Sequence, residues 1–428
     1  MTIRYSLLID IGGTDIKVGL VEEDRSKLIS VFRYPTPPFL KAGIGRKEIS
    51  PKELLFLCNK AISNAERSFG SFASIALSGQ MGCWILTDIQ NNPLTNIISW
   101  QDKRIKELIP KGTSILEFAD EIFGQENQRL SGNEIRLGIP IFGVYHYVQE
   151  NRIDKKLRFH SLISWLSSQL VSKYPFIVHE TDFASSGMFN LETKKPLSHP
   201  NELFKGQIVY PEVTDQYLTL GESKVKQGEF FVGVGDQQAS LYGSELVDNT
   251  IVVNIGTGGQ VASLQTKDGT TSKAQIRPFF QGRLIKTLTH LPAGRALTAY
   301  AKILHSEKSE ELDYDSILKS RVSDIKTIES RDILNFEEDV LRIQKPINKE
   351  EKQNLSDEVA YQFFQSYRDA IKGLNCETST KIIFAGGVGQ KFTSLQESLA
   401  KEFKTTTQIA NTNESTLQGL SFLLAGGK

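Results

Sequence analysis

Cysteine is scarce in this sequence: three in 428 residues, Cys58, Cys83 and Cys376. They lie far apart and form no C-x-x-C pair, which excludes a disulfide framework or a cysteine zinc site and fits unpaired thiols in a reducing cytoplasm. The six histidines (His146, His160, His179, His199, His290, His305) form no metal-spaced pair either, so a bound transition metal is not expected. An excess of charge of one sign is missing too, since 50 Lys+Arg face 50 Asp+Glu. A dedicated nucleic-acid binder needs a basic surplus to displace counterions from phosphates, so nucleic acid is not an expected partner. Long apolar runs are absent. None approaches the roughly 18 residues of a membrane span, and Asp10 cuts the apolar start at Leu7–Ile9, so neither a membrane nor a signal peptide is expected. Walker A and GxGxxG are also lacking, as are a GxSxG elbow and a catalytic cysteine context, which removes the usual phosphate-loop, Rossmann and hydrolase explanations.

What is present is a 39% hydrophobic share, enough with the glycines for sizeable cores; at about 150 residues per domain the length suggests two or three domains. The strongest pattern is an internal repeat. Ser6–Val21 reads as strand, glycine turn, strand, and Thr250–Ser263 has the same shape. Each is a β-branched run ending in Asp10 or Asn254, then Ile-Gly, a threonine turn and a second apolar strand. Two related α/β domains are the expectation, each opening its sheet with such a hairpin. Pro51–Phe69 has helical spacing, Ala73–Leu77 reads as a strand, and a helix is expected over roughly Phe159–Lys173. The polar stretch Glu212–Gly228 suggests a boundary, giving domains 1–228 and 229–428. The charged, glycine-poor segment 306–354 reads as surface helices and loops or as a partner-binding insert. A helix ending near Lys372, the strand Lys381–Ala385, a turn at Gly386–Gly387 and a closing helix over Ser415–Gly426 complete the second half.

Several constellations carry chemistry. Asp10 ends a buried strand, where a carboxylate is costly unless hydrogen-bonded or facing a cation. Gly12 and Gly13 allow backbone N–H groups to approach an anion, Thr14 adds a hydroxyl and Lys17 a positive charge. Two readings stand: a phosphate tail with Mg²⁺ nearby, or a tight hairpin whose Asp caps the backbone. Gly256, Thr257 and Gly258 repeat the turn, so two loops could grip one polyphosphate. Asp236, after Gly233-Val-Gly235, is either a helix N-cap or a general base that orients and deprotonates a sugar hydroxyl. Gln80, Gln101, Asp102 and Arg104 could hydrogen-bond a polyhydroxy ligand while Trp100 stacks on its carbon face; the plain alternative is a core Trp beside a solvated charge run.

Taken in this order, from Leu7 to about Gly426, these motifs resemble the FGGY carbohydrate kinases of the actin-like ATPase superfamily. The resemblance implies an α/β fold of two ribonuclease-H-like domains around a central cleft, with sugar mostly in the first and nucleotide mostly in the second. It implies ATP and Mg²⁺ as cofactors, a small-molecule sugar as partner, a cytoplasmic location, and allows a homodimer. Asp236 resembles the family's catalytic base, with Gln237 beside it touching substrate; Gln80 and Met81 resemble the substrate loop, and Trp100, Gln101, Asp102 and Arg104 the tryptophan segment. Gly12, Gly13, Thr14, Lys17, Gly256, Thr257 and Gly258 correspond to the phosphate hairpins, Gly386, Gly387 and Gln390 to the adenosine loop, and Asp10 to the group holding Mg²⁺. Thr181–Phe189 is similar to the segment closing the family's first domain. The Trp100 and Asp236 segments, with Gln275–Phe280 followed by Leu291–Arg295, look most like sedoheptulokinases, so phosphorylation of a sedoheptulose-like ketose at a terminal hydroxyl is expected, with a glycerol- or xylulose-type kinase, or a non-catalytic sensor on the same fold, as alternatives. Two departures stand out: Gly82 replaces the histidine usual in xylulokinases, which is expected to enlarge the pocket, and Val388 replaces a glycine common in the adenosine loop, which is expected to alter nucleotide affinity.

Overall fold

The computed structural model describes residues 4–22, 27–151, 153–224, 228–265, 274–304, 315–318, 334–335, 340–341, 349–376 and 381–426. Most of the charged 306–354 segment, with the surface and partner-binding readings placed on it, lies outside the described residues. The contacts divide the chain into two compact units: residues 1–243 with 276–284 and 416–428, and residues 244–275 with 285–415.

In the first unit the strands Tyr5–Ile11 and Asp15–Glu22 form the expected hairpin, pairing Asp10 with Lys17, and Leu28–Pro35 extends it antiparallel. Phe72–Gly79 joins the other side of Tyr5–Ile11 in parallel, and Glu229–Phe231 and Val234–Gly235 then pair in parallel with Phe72–Gly79. A parallel neighbour requires a crossover, supplied by the helix Pro51–Phe69. That helix starts where its sequence says it should. Ser50 accepts the Glu53 N–H at 3.3 Å, Pro51 opens the first turn, and Gly70 at φ 86° ends it. Leu54, Cys58, Ala61 and Ile62 pack beneath Leu7, Ile9 and Ile11, each fully buried aliphatic contributing about 1.5–3 kcal/mol of transfer energy. A second sheet in this unit runs in the order Ile208–Val209, Leu157–Ser161, Trp84–Thr87, Ile97–Ile98, Glu48–Ile49. Here the sequence expectation needs correction: the helix spans only Leu162–Leu170, and Phe159 belongs to the strand Leu157–Ser161. Leu157 and Phe159 join Trp84 and Leu86 in one core cluster, while Ser161 caps the helix by accepting the Ser164 N–H.

The second unit repeats the arrangement. Thr250–Ile255 and Gly259–Leu264 form the hairpin, Leu284–Leu291 extends it antiparallel, and Lys381–Ala385 and then Thr406–Ile409 add in parallel. Leu297, Val359, Phe363, Tyr367, Leu395 and Leu399 from three helices cover this sheet.

The first unit extends to Gly243, past the boundary suggested after Gly228. The polar stretch at 212–228 contains the strands Glu212–Thr214 and Thr219–Glu222, the latter at the edge of the first sheet. The helix Asp236–Gly243 is held to the same unit by close backbone approach: a side chain on Gly419 would fall 1.9 Å from the Ala239 carbonyl oxygen.

Candidate active site

The loop Gln80–Cys83 bridges the two larger sheets of the first unit, leaving Phe72–Gly79 and entering Trp84–Thr87. Around it the first unit gathers most of the residues expected to bind substrate. Asp236 opens its helix, with its Oδ1 accepting the Gln237 N–H at 2.8 Å; the Met81 backbone N–H also bonds the carboxylate. Burial pushes the Asp236 carboxyl up to about 6, against the lowering effect of those amides and the Arg277 charge. Asp182 lies close enough for Asp236 to raise it electrostatically, though burial is the main cause of its rise to about 7, and the Ser161 hydroxyl bonded to Oδ2 opposes both. Cys83 is buried and its thiol is pushed up to about 12, so it stays protonated and unreactive.

Gln237 is buried, and its Oε1 accepts from Arg277 Nη1. Arg277 also grips Glu134 through Nε and, at 3.0 Å, through Nη2, while Arg136 Nη1 bonds Glu134 from a second direction. Burial would push the Glu134 carboxyl up, yet the two guanidiniums outweigh it and hold the group below the usual range. Sequence reading missed Glu134 and Arg136 and gave Arg277 no role. The signal available was charge in an apolar setting: Glu134 and Arg136 interrupt a stretch that continues Leu137-Gly-Ile-Pro-Ile-Phe142.

Gly82 adopts φ +75°, a conformation that favours glycine, and its N–H donates to Ser185 Oγ at 2.9 Å. A Cβ there would lie 3.1 Å from Arg136 Nη2 and 3.2 Å from Trp100 Cβ. The expected enlargement at Gly82 therefore does not arise, because the space belongs to Arg136 and Trp100. Trp100 and Gln101 are partly buried at this loop, but Asp102 and Arg104 are committed elsewhere. Asp102 accepts from Lys47 N, Arg104 N and both Arg104 Nε and Nη2 at 2.7–2.9 Å, and Arg104 Nη2 reaches Glu48 at 2.7 Å. This buried pair locks the turn that presents Trp100 and Gln101. Gln80 likewise spends its Nε2 on the Gly12 carbonyl at 3.1 Å, tying the Gln80–Cys83 loop to the first hairpin.

In that hairpin Gly13 and Thr14 are exposed, Gly12 partly so, and Lys17 Nζ lies 3.9 Å from the buried Asp10 carboxylate. In the second unit Thr257 and Gly258 are exposed, and nothing crowds Gly256 or Gly258 within 4 Å of a Cβ position. The Val388 and Gly389 N–H groups both bond the Ile255 carbonyl at 3.1 Å, which fixes the adenosine-type loop against this hairpin. Gly386 needs φ +79°, Gly387 is exposed, and Gln390 Nε2 donates to the Thr412 carbonyl at 3.1 Å.

The FGGY family of carbohydrate kinases, N-terminal domain, matches residues 5–197. Among its relatives are a xylulose kinase of Lactococcus lactis, 22% identical over 61% of this chain and 54% of that protein, and a glycerol kinase of Aquifex aeolicus, 26% identical over 58% and 52%. The chain thus spans about half the length of the curated relatives it matches. A solved xylulose kinase from Lactobacillus acidophilus superposes with a TM-score of 0.79 at 17% identity, covering 100% of this chain and 90% of that one. This agrees with the mixed α/β fold of FGGY kinases. No described helix is long and apolar enough to cross a membrane.

Proposed function

We propose that this chain is an ATP-dependent carbohydrate kinase that phosphorylates a terminal hydroxyl of a small polyhydroxy acceptor, with Asp236 as the base. The observation that carries the reading is the buried Asp236 carboxylate, held by the Gln237 and Met81 backbone amides, with its pKa raised to about 6. A base in that range is ionised at neutral pH yet strong enough to accept a hydroxyl proton as the oxygen becomes a nucleophile. The acceptor oxygen attacks the γ-phosphorus, the bond to the β-phosphate oxygen breaks, ADP leaves, and Asp236 takes the proton. Substrate contact falls to Met81, Trp100, Gln101 and Gln237, while Gln80, Asp102 and Arg104 position those groups. The first unit binds the acceptor. The second unit binds nucleotide through the exposed glycine turns at Gly256–Gly258 and Gly386–Gly387, with Gln390 fixing the second turn, and Gly12, Gly13, Thr14 and Lys17 serve the phosphates.

Mg²⁺ fits this reading. Asp10 offers a hard carboxylate oxygen at a strand end beside an exposed turn, and Mg²⁺ is commonly held by one or two carboxylates together with phosphate oxygens and water. Asp10 would hold it, and when bound it supplies charge neutralisation for the transferring phosphoryl group. A sedoheptulose-like ketose is one acceptor within the proposed class, as are glycerol and xylulose.

The test is Asp236→Asn. Phosphorylation over a panel of ketoses, polyols and sugar acids is expected to fall by about 10³-fold or more in kcat, with acceptor and ATP binding nearly unchanged. Near-normal turnover in this variant sinks the assignment.

A further inference from the structure

Glu134 is completely buried and faces two guanidiniums, one more than its charge requires. Arg277 is fully engaged, with two nitrogens on Glu134 and one on Gln237. Arg136 is different. Its Nη1 bonds Glu134, whereas Nη2 makes no hydrogen bond among the described residues and points to the space above Gly82, beside Trp100. The side chain keeps 15% exposure, so it is neither sealed in the core nor free in solvent.

We infer that Arg136 determines acceptor specificity and that the acceptor it selects carries a carboxylate, as an aldonic acid does, in place of a neutral ketose or polyol. The inference rests on the kinase reading above. Three features support it. A guanidinium offers parallel donors matched to a carboxylate, and one anchored by Glu134 is already oriented, so little rotamer freedom is lost on binding. Gly82 leaves room for this group: its left-handed backbone disfavours any side chain, and a Cβ would sit 3.1 Å from Nη2. The charge around Glu134 points the same way, since two guanidiniums face this one buried carboxylate. Burial already holds the Arg136 guanidinium below its ordinary pKa, with the Arg277 charge adding to the effect and Glu134 opposing it. An anion there offsets this cost.

The experiment compares steady-state kinetics, with MgATP, on D-gluconate and other aldonates against xylulose, sedoheptulose, glycerol and xylitol, for the wild type, Arg136→Gln and Arg136→Lys. The wild type is expected to favour at least one aldonate in kcat/KM by about tenfold over every neutral acceptor. Arg136→Gln should lower the ratio of aldonate to neutral-acceptor kcat/KM by about 30-fold, chiefly through the aldonate KM. Arg136→Lys, which keeps the charge without the fork, should fall between, and thermal unfolding checks that each variant is folded. A wild type that prefers a neutral acceptor, with an aldonate-to-neutral ratio unmoved in Arg136→Gln, overturns the inference and leaves the kinase reading intact. If no acceptor is turned over, the kinase reading fails, and calorimetric titration of D-gluconate into wild type and Arg136→Gln decides this inference on its own. Binding weakened by the substitution supports it, and absent or equal binding overturns it.

Discussion

The two glycine hairpins share a scaffold and differ in charge. In each, a β-branched strand turns through Ile-Gly into an antiparallel partner, and a third strand joins its far side in parallel. In each, the loop leaving that parallel strand bonds the carbonyl of the isoleucine before the turn: Gln80 N donates to Ile11 O, and Val388 N and Gly389 N donate to Ile255 O, all at 3.1 Å. The residue preceding the isoleucine is Asp10 in one and Asn254 in the other. The first turn lies between a buried carboxylate with Lys17 and an amide from Gln80; the second lies beside the crowded Gly386, where a Cβ would meet Asn254 Oδ1 at 2.6 Å. A repeated backbone therefore carries two chemistries, one suited to a cation near phosphate and one to uncharged hydrogen bonding. The acids of the proposed chemistry, Asp10 and Asp236, both belong to the first unit.

Exchanging that one difference should give the largest effect. Asp10→Asn, which gives the first hairpin the amide of the second, is expected to lower kcat by about 10²–10³-fold and to raise the Mg²⁺ concentration needed for half-maximal rate. An unchanged Mg²⁺ dependence would separate Asp10 from metal binding. Next in size is Gly386→Ala, which combines positive φ with a Cβ 2.5 Å from the Ile255 carbonyl oxygen. It should destabilise the protein by about 2–4 kcal/mol in denaturant unfolding, whereas Gly387→Ala, with nothing within 4 Å, should cost less than about 0.5 kcal/mol. Equal losses for the two would show that the turn is held less tightly than its hydrogen bonds imply. Asn254→Asp, the reverse exchange, should weaken ATP binding by about tenfold through repulsion of phosphate, as read by calorimetry.

The smallest expected effect concerns pH. In the proposed chemistry ionised Asp236 is the active form, so kcat/KM should fall about tenfold per pH unit below about 6 and level off above it. The stability sign is opposite. Folding raises the carboxyl pKa of Asp236 and of Asp182, so the native state binds more protons than the unfolded chain between about 4 and 7. Their contribution is fully present below the unfolded value and is lost as pH rises through about 6 and 7. Asp182→Asn should consequently raise the melting temperature at pH 8 by a few degrees, with the gain vanishing near pH 4. A stabilisation independent of pH would mean that folding does not shift the Asp182 carboxyl.

Much of this was legible in the sequence, because the repeat is a matter of local pattern. Ile-Gly turns after β-branched runs, the Ser50–Pro51 helix start and the glycine turn after Lys381–Ala385 are read from neighbours along the chain, and the structure places them accordingly. The helix expected over Phe159–Lys173 failed at its start because a buried strand and a buried helix share the same apolar composition. Asp102 and Arg104 looked like polar ligand groups, and their commitment to Glu48 and Lys47 depends on strands 50 or more positions away. Gly82 appeared to open space; only packing shows Arg136 filling it.

The sequence by itself determined the two hairpins, the acids Asp10 and Asp236, and the α/β class, since each follows from the order of a few adjacent residues. Only the tertiary structure decided the partnership of Glu134, Arg136, Gln237 and Arg277, where Glu134 and Arg277 stand 143 positions apart. The reason is physical: a buried charge must find its counter-charge wherever the chain returns, and nothing in the local sequence says where that is.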